Sequence, residues 1–441
     1  MEFENVLKKN LAALILVVMS AQAFSSEKTD ATWEQLLAAN KLPAVDQSYC
    51  YTDEHGKMFG ENLDIRVRLA SVSKLLTSLW AVEKLGINYK YRTKLFIKGS
   101  NLHIQGSLDP FLGNEKMFFL LSQLNDLGYS KFDTITFDKI IQINPSVAVH
   151  SDQYPLITRA SNARNLKMYF NTNSWSPDLK AEYTRIASLA PKGKFRPVIH
   201  FEIGNAQYVD TNPYENNHEA KILTLSSPVL YKYLKEINVQ SNNYAAHTIF
   251  LQLGGAVEFE KFISDRYGKT SNSIHFYTGS GLPSVVDGIR RDNYATCATT
   301  IELIAALKES TERQGKKLED LVAVPGSDAG TFSNRIFPAD YKNAFVAKTG
   351  TLMHTSTLAG AMSTQKGFSF YGIFNQSTDI EGSKIVQNGM VKSVMTEMDG
   401  PLAFNYVVDP FHPYNGDNVK NLEFFNPSTP SEFTTIEENL Y

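Results

Sequence analysis

The amino-acid sequence predicts an α/β fold of the α+β type, and three observations carry this prediction. A strand–turn–strand pattern lies near the amino terminus, an apolar helix follows it, and further strands joined by a polar turn lie near the carboxyl terminus. The 441 residues, 43% apolar and 20% charged, are typical of a globular protein with ample material for a core. The net charge of −3 comes without long blocks of like charge, so nucleic acid is not expected as a partner.

Apolar periodicity and turn residues place the individual elements along the chain. The predicted helices cover residues 33–42, 71–85, 116–127, 248–254 and 298–307. The predicted strands cover residues 48–53, 57–59, 94–97, 102–104, 134–137, 197–203, 344–352, 355–361 and 368–374.

The order of these elements indicates how the chain divides into domains. Residues 89–226 combine short strands with one helix and an irregular stretch at 144–173. We interpret 89–226 as an inserted α+β subdomain, and residues 24–88 with 227–400 as the main domain. The tail, residues 401–441, contains several prolines and asparagines with little periodicity, so we expect an irregular extension.

The first 23 residues have the order of a secretory signal peptide. Lys8 and Lys9 precede an apolar run at residues 11–19, and the small residues Ala21 and Ala23 follow it. The run is too short to span a bilayer comfortably, and no cysteine that could carry a lipid lies near the expected cleavage point. We therefore expect an exported protein, with an N-terminal core helix as the alternative.

The cysteines and histidines give no sign of a metal site. Cys50 and Cys297 are far apart and follow no CxxC or zinc-like spacing. Two isolated cysteines in a chain of this size are more often buried thiols, so we expect them to be unpaired, with a disulfide as the less favoured alternative. His103, His150 and His200 form no HExxH arrangement, and we interpret them as structural.

A serine three residues before a lysine occurs three times, and context selects one occurrence. Ser71 and Lys74 stand where a buried apolar helix is predicted to begin, and residues at i and i+3 share a helix face. Residues 25–28 lie just past the expected cleavage point, and residues 363–366 fall in a polar hairpin turn. A partly buried lysine can take the proton of a serine hydroxyl. We therefore predict that Ser71 is a nucleophile and Lys74 its base.

Two further short motifs follow this pair in a fixed order. Ser241-x-Asn243 leads into a helix, and Lys348-Thr349-Gly350 lies on a strand that breaks at its glycine. Taken alone, the first motif would be explained as a helix N-cap. Together with the serine–lysine pair, the set is typical of active-site serine β-lactamases and penicillin-binding proteins.

With these motifs the chain resembles the D-Ala-D-Ala carboxypeptidase/endopeptidase family of class C low-molecular-mass penicillin-binding proteins. Further stretches that carry the resemblance are 98–110, 279–282, 326–331 and 348–360. The resemblance implies a transpeptidase- or β-lactamase-like domain with an antiparallel sheet sandwiched by helices. The chain departs from the family where Thr278 and His247 replace acidic residues, where Asn242 replaces Asp, and where about nine extra residues follow the 279–282 turn.

The resemblance also implies roles for the motif residues. Ser71 attacks the carbonyl between two terminal D-alanines, and Lys74, whose pKa is lowered by burial and by Lys348, acts as base. Ser241 relays a proton to the departing nitrogen, and Asn243 bonds the substrate amide. The residues expected to bind the substrate carboxylate or the oxyanion are Lys348, Thr349, Gly350 and Thr351, together with the backbone N–H of Ser71.

The partners implied are peptidoglycan stem peptides as substrates and β-lactam antibiotics as covalent inhibitors, in the periplasm, with at most peripheral membrane contact and no cofactor. His247 is a tempting base, but a lone histidine on a helix is more often a packed or surface residue. Two alternatives stay open: a serine β-lactamase or esterase on the same fold, and a non-catalytic peptidoglycan-binding homologue.

Overall fold

The computed structural model describes residues 28–139, 141–414 and 422–424, and their contacts fall into two compact units. Unit 1 comprises Met1–Trp80 and Phe259–Val408, and unit 2 comprises Ala81–Glu258 and Asp409–Tyr441. The predicted α+β class is confirmed. The predicted domain boundaries differ from this division, which places Ser241 and Asn243 in unit 2, and they stay a prediction. The expected signal peptide lies outside the described residues.

The bounds of the elements are as follows. The α-helices are α1 (28–39), α2 (Ser73–Leu85), α3 (Asn114–Asp126), α4 (Arg159–Tyr169), α5 (Pro177–Leu189), α6 (Leu230–Gln240), α7 (Asn243–Gln252), α8 (Gly255–Tyr267), α9 (Cys297–Arg313) and α10 (Ile380–Glu397). The strands are β1 (Gln47–Thr52), β2 (Met58–Glu61), β3 (Val67–Arg68), β4 (Arg92–Lys98), β5 (Asn101–Gln105), β6 (Lys131–Phe137), β7 (Glu202–Tyr208), β8 (Lys221–Ser226), β9 (Ile274–His275), β10 (Ser284–Val286), β11 (Ile289–Arg291), β12 (Tyr294–Ala295), β13 (Phe345–Leu352), β14 (Thr355–Thr364), β15 (Gly367–Asn375) and β16 (Leu422–Phe424).

Unit 1 is built on an antiparallel sheet with the strand order β13-β14-β15-β1-β2. Every residue of β14 is buried, so both faces of the central part of the sheet are covered. The helices α9 and α10 pack against β14 and β15. The predicted hairpin turn between β14 and β15 is present, because Thr364 pairs with Gly367 across it. This is the predicted antiparallel sheet sandwiched by helices.

The expectation that the two cysteines are unpaired is wrong. Cys50 on β1 and Cys297, the first residue of α9, form a disulfide with their Cα atoms 5.9 Å apart. Cys50 pairs with Gly372 of β15 in the sheet register, and Gly372 leaves room for the Cys297 sulfur beside it. The packing of α9 on the sheet brings the two positions together, and sequence separation carries no information about that packing.

Unit 2 is built on a mixed sheet with the order β16-β8-β4-β5-β6-β7, in which β5, β6 and β7 run parallel. Its core is rich in aromatic residues, among them Phe118 of α3 and Phe132 of β6. Two helices of this unit were not predicted. α4 lies within the stretch that was predicted to be irregular, and α5 lies where no element was predicted. Local signals existed for both: Thr158 and Ser161 form a capping box before α4, and Ser176 caps α5.

The described residues of the carboxyl-terminal tail, 401–414 and 422–424, are less irregular than predicted. Tyr414 is buried in unit 2 and stacks on Phe119 with ring centroids 4.6 Å apart. The strand β16 pairs antiparallel with β8 and so extends the sheet by one strand. Aromatic burial holds Tyr414 and backbone pairing holds β16, although the sequence around both lacks periodicity. Across the described ranges, none of the helices has the length and apolar character that crossing a membrane requires.

Candidate active site

In unit 1, Ser71 and Lys74 meet at the amino end of α2. The helix begins at Ser73, and Ser71 lies in the preceding 3₁₀ turn, Ala70–Val72, rather than at the helix start itself. Lys74 Nζ lies 2.8 Å from Ser71 Oγ and donates a second hydrogen bond of 2.8 Å to the Ser280 carbonyl oxygen. The predicted reach between the two side chains is therefore observed, while their chemical roles stay predictions.

Burial sets the protonation of the two lysines in this unit. Both Lys74 and Lys348 have fully buried side chains. Burial, and secondarily the charge of Lys348, holds the pKa of Lys74 well below its ordinary value. Burial also lowers the pKa of Lys348, to about 7. A neutral Lys74 amine can accept a proton, whereas Lys348 is poised between a cation and a neutral amine near neutral pH.

The turn that carries Ser71 is fixed by hydrogen bonds to its backbone. Thr357 Oγ1 on β14 donates 2.9 Å to the Leu69 carbonyl oxygen, and the Leu69 N–H donates 3.1 Å to the carbonyl of Asn293. Ala70 adopts a left-handed φ of +47°, a conformation that costs energy for any residue with a Cβ. The surrounding contacts hold this strained backbone in place directly before Ser71.

Two glycines allow other backbone segments to approach the same turn. A Cβ on Gly281 would collide with the Ala70 carbonyl, and Gly281 also has a φ of +84°. A Cβ on Gly350 would lie 2.8 Å from the Leu69 carbonyl oxygen and 2.9 Å from the Ala70 Cβ. The motif glycine Gly350 thus lets β13 lie against the turn, and Gly281 does the same for the 279–282 loop.

The 279–282 loop is tied to α2 by side chains that sequence reasoning missed. Asn293 Nδ2 donates to Ser73 Oγ (3.1 Å) and to the carbonyl of Thr278 (2.6 Å), and Thr77 Oγ1 donates 2.8 Å to the carbonyl of Gly279. Thr278, which stands where the family has an acidic residue, donates 2.8 Å to the Leu282 carbonyl and so closes its own loop. No periodicity marks Asn293, whereas Thr357 belongs to a stretch that carries the family resemblance.

The strand β13 presents the predicted substrate-binding residues at the edge of the unit 1 sheet. Lys348 pairs with Ala359 and Thr351 with Ser356 on β14. Lys348 Nζ donates 2.8 Å to the Thr349 carbonyl, and Thr351 is exposed. Unit 1 therefore brings together Ser71, Lys74 and the strand that contains Lys348, Thr349, Gly350 and Thr351.

In unit 2, Ser241 and Asn243 lie where α6 ends and α7 begins. Ser241 has a left-handed φ of +57°, and Asn243 Nδ2 donates 2.8 Å to the carbonyl of Ser151. The N-cap of α7 is Asn242, whose side chain accepts a 2.9 Å hydrogen bond from the Ala245 N–H. Simple helix capping therefore accounts for the middle residue of the motif and not for its first serine.

Two of the histidines singled out in the sequence, His247 and His103, are packed within unit 2, whereas His150 and His200 are exposed. His247 stacks on Tyr154 with ring centroids 4.1 Å apart, and burial lowers its pKa to about 4. His103 Nδ1 lies 3.0 Å from Thr136 Oγ1, and burial lowers its pKa to about 4 as well. Both rings are neutral at neutral pH. Of the residues that the structure describes, no group of three His, Cys, Asp or Glu is placed to hold a metal ion.

A serine hydroxyl beside a buried lysine amine, on a strained turn that a Lys-Thr-Gly strand approaches, provides the groups that acyl transfer requires. The family model of the D-Ala-D-Ala carboxypeptidase 3 (S13) family matches residues 130–396, more than half of the chain. The chain belongs to this family. It is therefore a serine peptidase, as the sequence resemblance predicted.

Solved structures resemble this S13 peptidase over most of its length. Bd3459, a predatory peptidoglycan endopeptidase from Bdellovibrio bacteriovorus, is 25% identical with a TM-score of 0.75, covering 86% of this chain and 98% of its own. Bd0816, a predatory endopeptidase from the same organism, is 28% identical with a TM-score of 0.74, covering 84% of this chain and 98% of its own. Both have also been solved in complex with the immunity protein Bd3460.

Two further comparisons bear on chemistry and fold. Bd3459 has been solved acylated by penicillin G. Penicillin-binding protein 4 from Haemophilus influenzae is 16% identical with a TM-score of 0.57, covering 83% of this chain and 99% of its own, and it supports the fold alone. Among curated protein sequences, none matches the chain.

Proposed function

We propose that this S13 peptidase hydrolyses the bond between two terminal D-alanines of peptidoglycan stem peptides through an acyl-enzyme on Ser71. The 2.8 Å contact between Lys74 Nζ and Ser71 Oγ carries this proposal, since burial favours the neutral amine that can act as base. The likeness to Bd3459, described as a peptidoglycan endopeptidase, supports the substrate class.

In the proposed reaction, the neutral Lys74 takes the proton of Ser71 as Ser71 Oγ attacks the scissile carbonyl carbon. The tetrahedral intermediate collapses to an ester on Ser71, and the amine of the departing D-alanine receives a proton relayed through Ser241. Water then attacks the ester, its proton returns to Ser71, and the shortened peptide leaves. The hydrogen bond to the substrate amide is assigned to Asn243, as the motif predicts.

Binding of the substrate carboxylate is assigned to the residues on β13. Lys348, in its charged form, with the hydroxyls of Thr349 and Thr351, would hold the terminal carboxylate. Gly350 supports this role by letting β13 lie against the Ser71 turn. The backbone N–H groups of Ser71 and Thr351 are proposed as the oxyanion hole, a contribution of about 3–4 kcal/mol in hydrolases with such a site.

The same site is proposed to cleave crosslinks as an endopeptidase and to form lasting adducts with β-lactams. The penicillin G adduct of Bd3459 and the endopeptidase description of that protein support these two extensions. Export to the periplasm is proposed from the signal-peptide pattern of the first 23 residues.

The test is labelling with a fluorescent penicillin. Wild type is expected to take up a stable covalent label, and Ser71→Ala is expected to take up none. Ser363→Ala, which removes the serine of a rival serine–lysine pattern, is the matched control and is expected to label like wild type. Covalent labelling of the Ser71→Ala protein by penicillin would show that Ser71 is not the nucleophile.

Digestion of purified muropeptides, analysed by mass, then separates the alternative functions. Loss of one D-alanine indicates carboxypeptidase activity, and conversion of dimers to monomers indicates endopeptidase activity. Rapid turnover of penicillin without a lasting adduct would instead indicate a β-lactamase or esterase. Muropeptide binding without either cleavage or labelling would indicate a non-catalytic wall-binding protein.

A further inference from the structure

An exposed β-hairpin follows the 279–282 loop in unit 1. The strands β10 and β11 pair with each other and, within the described residues, with no other strand. Asp287 and Gly288 form the turn with φ values of +52° and +72°, typical of a tight type I′ hairpin. Two-stranded hairpins have little stability of their own, and this one lies where the sequence resemblance indicated about nine extra residues after the 279–282 turn.

The base of this hairpin is anchored next to the nucleophile. The preceding loop supplies the Ser280 carbonyl that accepts a hydrogen bond from Lys74. Asn293, two residues after β11, donates to Ser73 Oγ. A ligand held by the hairpin is therefore held by a segment whose two ends both contact the amino-terminal end of α2.

One face of the hairpin combines exposed aliphatic side chains with a cation. In the register of the hairpin, Val286 pairs with Ile289 and Ser284 with Arg291. These pairs share a face, because the intervening pair points to the other side. The side chains of Val286, Ile289 and Arg291 on this face are all exposed. We call these three residues the apolar–basic face.

Arginines outnumber their carboxylate partners at this place. Asp292 lies 3.0 Å from Arg290 Nη2 and 3.4 Å from Arg68 Nε, so one carboxylate serves two arginines. The side chain of Arg291, whose backbone pairs with Ser284, makes no hydrogen bond or ion pair to any residue in the described part of the chain. Asp287 is at the turn, at the opposite end of the hairpin from Arg291. The excess positive charge therefore lies at the base of the hairpin.

We propose that the apolar–basic face binds the acidic part of the peptide substrate, with Arg291 pairing a side-chain carboxylate and Val286 and Ile289 covering the neighbouring aliphatic stem. A guanidinium group can form two parallel hydrogen bonds to a carboxylate, in a planar bidentate geometry. This inference rests on the proposed function and names the substrate class of that site: acidic peptides ending in D-alanyl-D-alanine. Attachment beside Ser71 favours a substrate over an anionic membrane as the occupant.

The test compares two synthetic peptides that end in D-alanyl-D-alanine and differ only in whether an upstream side-chain carboxylate is free or amidated. Wild type is expected to cleave the free-carboxylate peptide with the higher kcat/KM. Arg291→Gln is expected to lower kcat/KM for that peptide about 5- to 10-fold, through KM, and to leave the amidated peptide unchanged. Arg313→Gln, which removes an exposed arginine on α9, is the matched control and is expected to behave as wild type.

Penicillin acylation separates this inference from the proposed function. Penicillin lacks the upstream peptide, so Arg291→Gln is expected to be acylated at the wild-type rate. The inference alone is overturned if wild type cleaves both peptides and Arg291→Gln discriminates between them as wild type does. It is also overturned if Arg291→Gln loses binding to vesicles containing phosphatidylglycerol while its peptide kinetics stay unchanged. If penicillin does not acylate wild type and wild type cleaves neither peptide, both the proposed function and the inference are wrong.

Discussion

The hydroxyl of Thr357, on the second strand of the unit 1 sheet, donates a 2.9 Å hydrogen bond to the carbonyl oxygen of Leu69, two residues before Ser71. Both groups are buried. The bond links the sheet to the strained turn that contains Ser71. No pattern of apolar residues in the sequence predicts it.

Thr357→Val keeps the shape of the side chain and removes this hydrogen bond. The Leu69 carbonyl then keeps only the 3.1 Å hydrogen bond from the Val72 N–H, and the loss of the buried bond to Thr357 costs about 0.5–1.5 kcal/mol. We expect the rate constant of acylation by penicillin to fall about tenfold, with a small change in the concentration for half-saturation. Stopped-flow acylation kinetics measure both quantities.

The matched variant is Thr357→Ser, which keeps the hydroxyl and loses the methyl group. It is expected to acylate at close to the wild-type rate. Equal acylation rates for the valine and serine variants would contradict a positioning role for the Thr357 hydroxyl.

Gly281→Ala is predicted to damage the site more than it damages the fold. The added Cβ meets the Ala70 carbonyl, so either the Ser71 turn or the Ser280 carbonyl that binds Lys74 must move. A displacement on that scale costs about 10- to 100-fold in rate. The readout is the acylation rate compared with the melting temperature.

The control for this prediction is Gly315→Ala. Gly315 has a similar φ of +77°, but nothing lies within 4 Å of the position of an added Cβ. It is therefore expected to cost about 1–2 kcal/mol of stability through backbone strain alone and to leave acylation unchanged. If the acylation rate falls equally in both variants, the close approach of Gly281 to the Ser71 turn does not matter for acylation.

Sequence predicted the parts of this molecule that depend on short-range pattern. The hairpin between β14 and β15 and the reach of Lys74 to Ser71 both follow from periodicity and spacing over a few residues. The contacts that Asn293 and Thr357 make near Ser71 could not be predicted, because each joins residues more than 200 positions apart along the chain. The same reason explains the cysteines, whose pairing depends on the packing of α9 against the sheet.

Other errors concern elements whose local sequence signals were present but were given less weight than the overall composition of the segment. The capping box at Thr158 and Ser161 marks the start of α4, within a stretch whose Asn, Ser and Tyr content suggested irregular structure. In the tail, Tyr414 is an anchor whose burial no local pattern shows. Fold class was predicted correctly because it depends on the many regular elements rather than on these.

Removing the disulfide is predicted to destabilise unit 1 without altering the chemistry. The bridge between Cys50 and Cys297 closes a separation of 247 residues. A bond of this kind contributes about 2–4 kcal/mol, so the Cys50→Ala/Cys297→Ala double variant is expected to melt about 5–15 °C lower. Adding a reductant should lower the melting temperature of wild type and leave that of the double variant unchanged. Two free thiols in denatured, unreduced wild type would show that the bridge does not form.

The buried lysines predict a bell-shaped dependence of kcat/KM on pH for a D-alanyl-D-alanine peptide. At low pH, protonation of Lys74 removes the base, so the rate falls on the acidic side. Burial lowers the pKa of Lys348 to about 7, so raising the pH through 7 neutralises the cation that attracts the substrate carboxylate, and kcat/KM falls again. Lys348→Arg keeps its charge throughout this range and is expected to move the basic limb upward. A basic limb that stays near pH 7 in Lys348→Arg would assign that titration to another group.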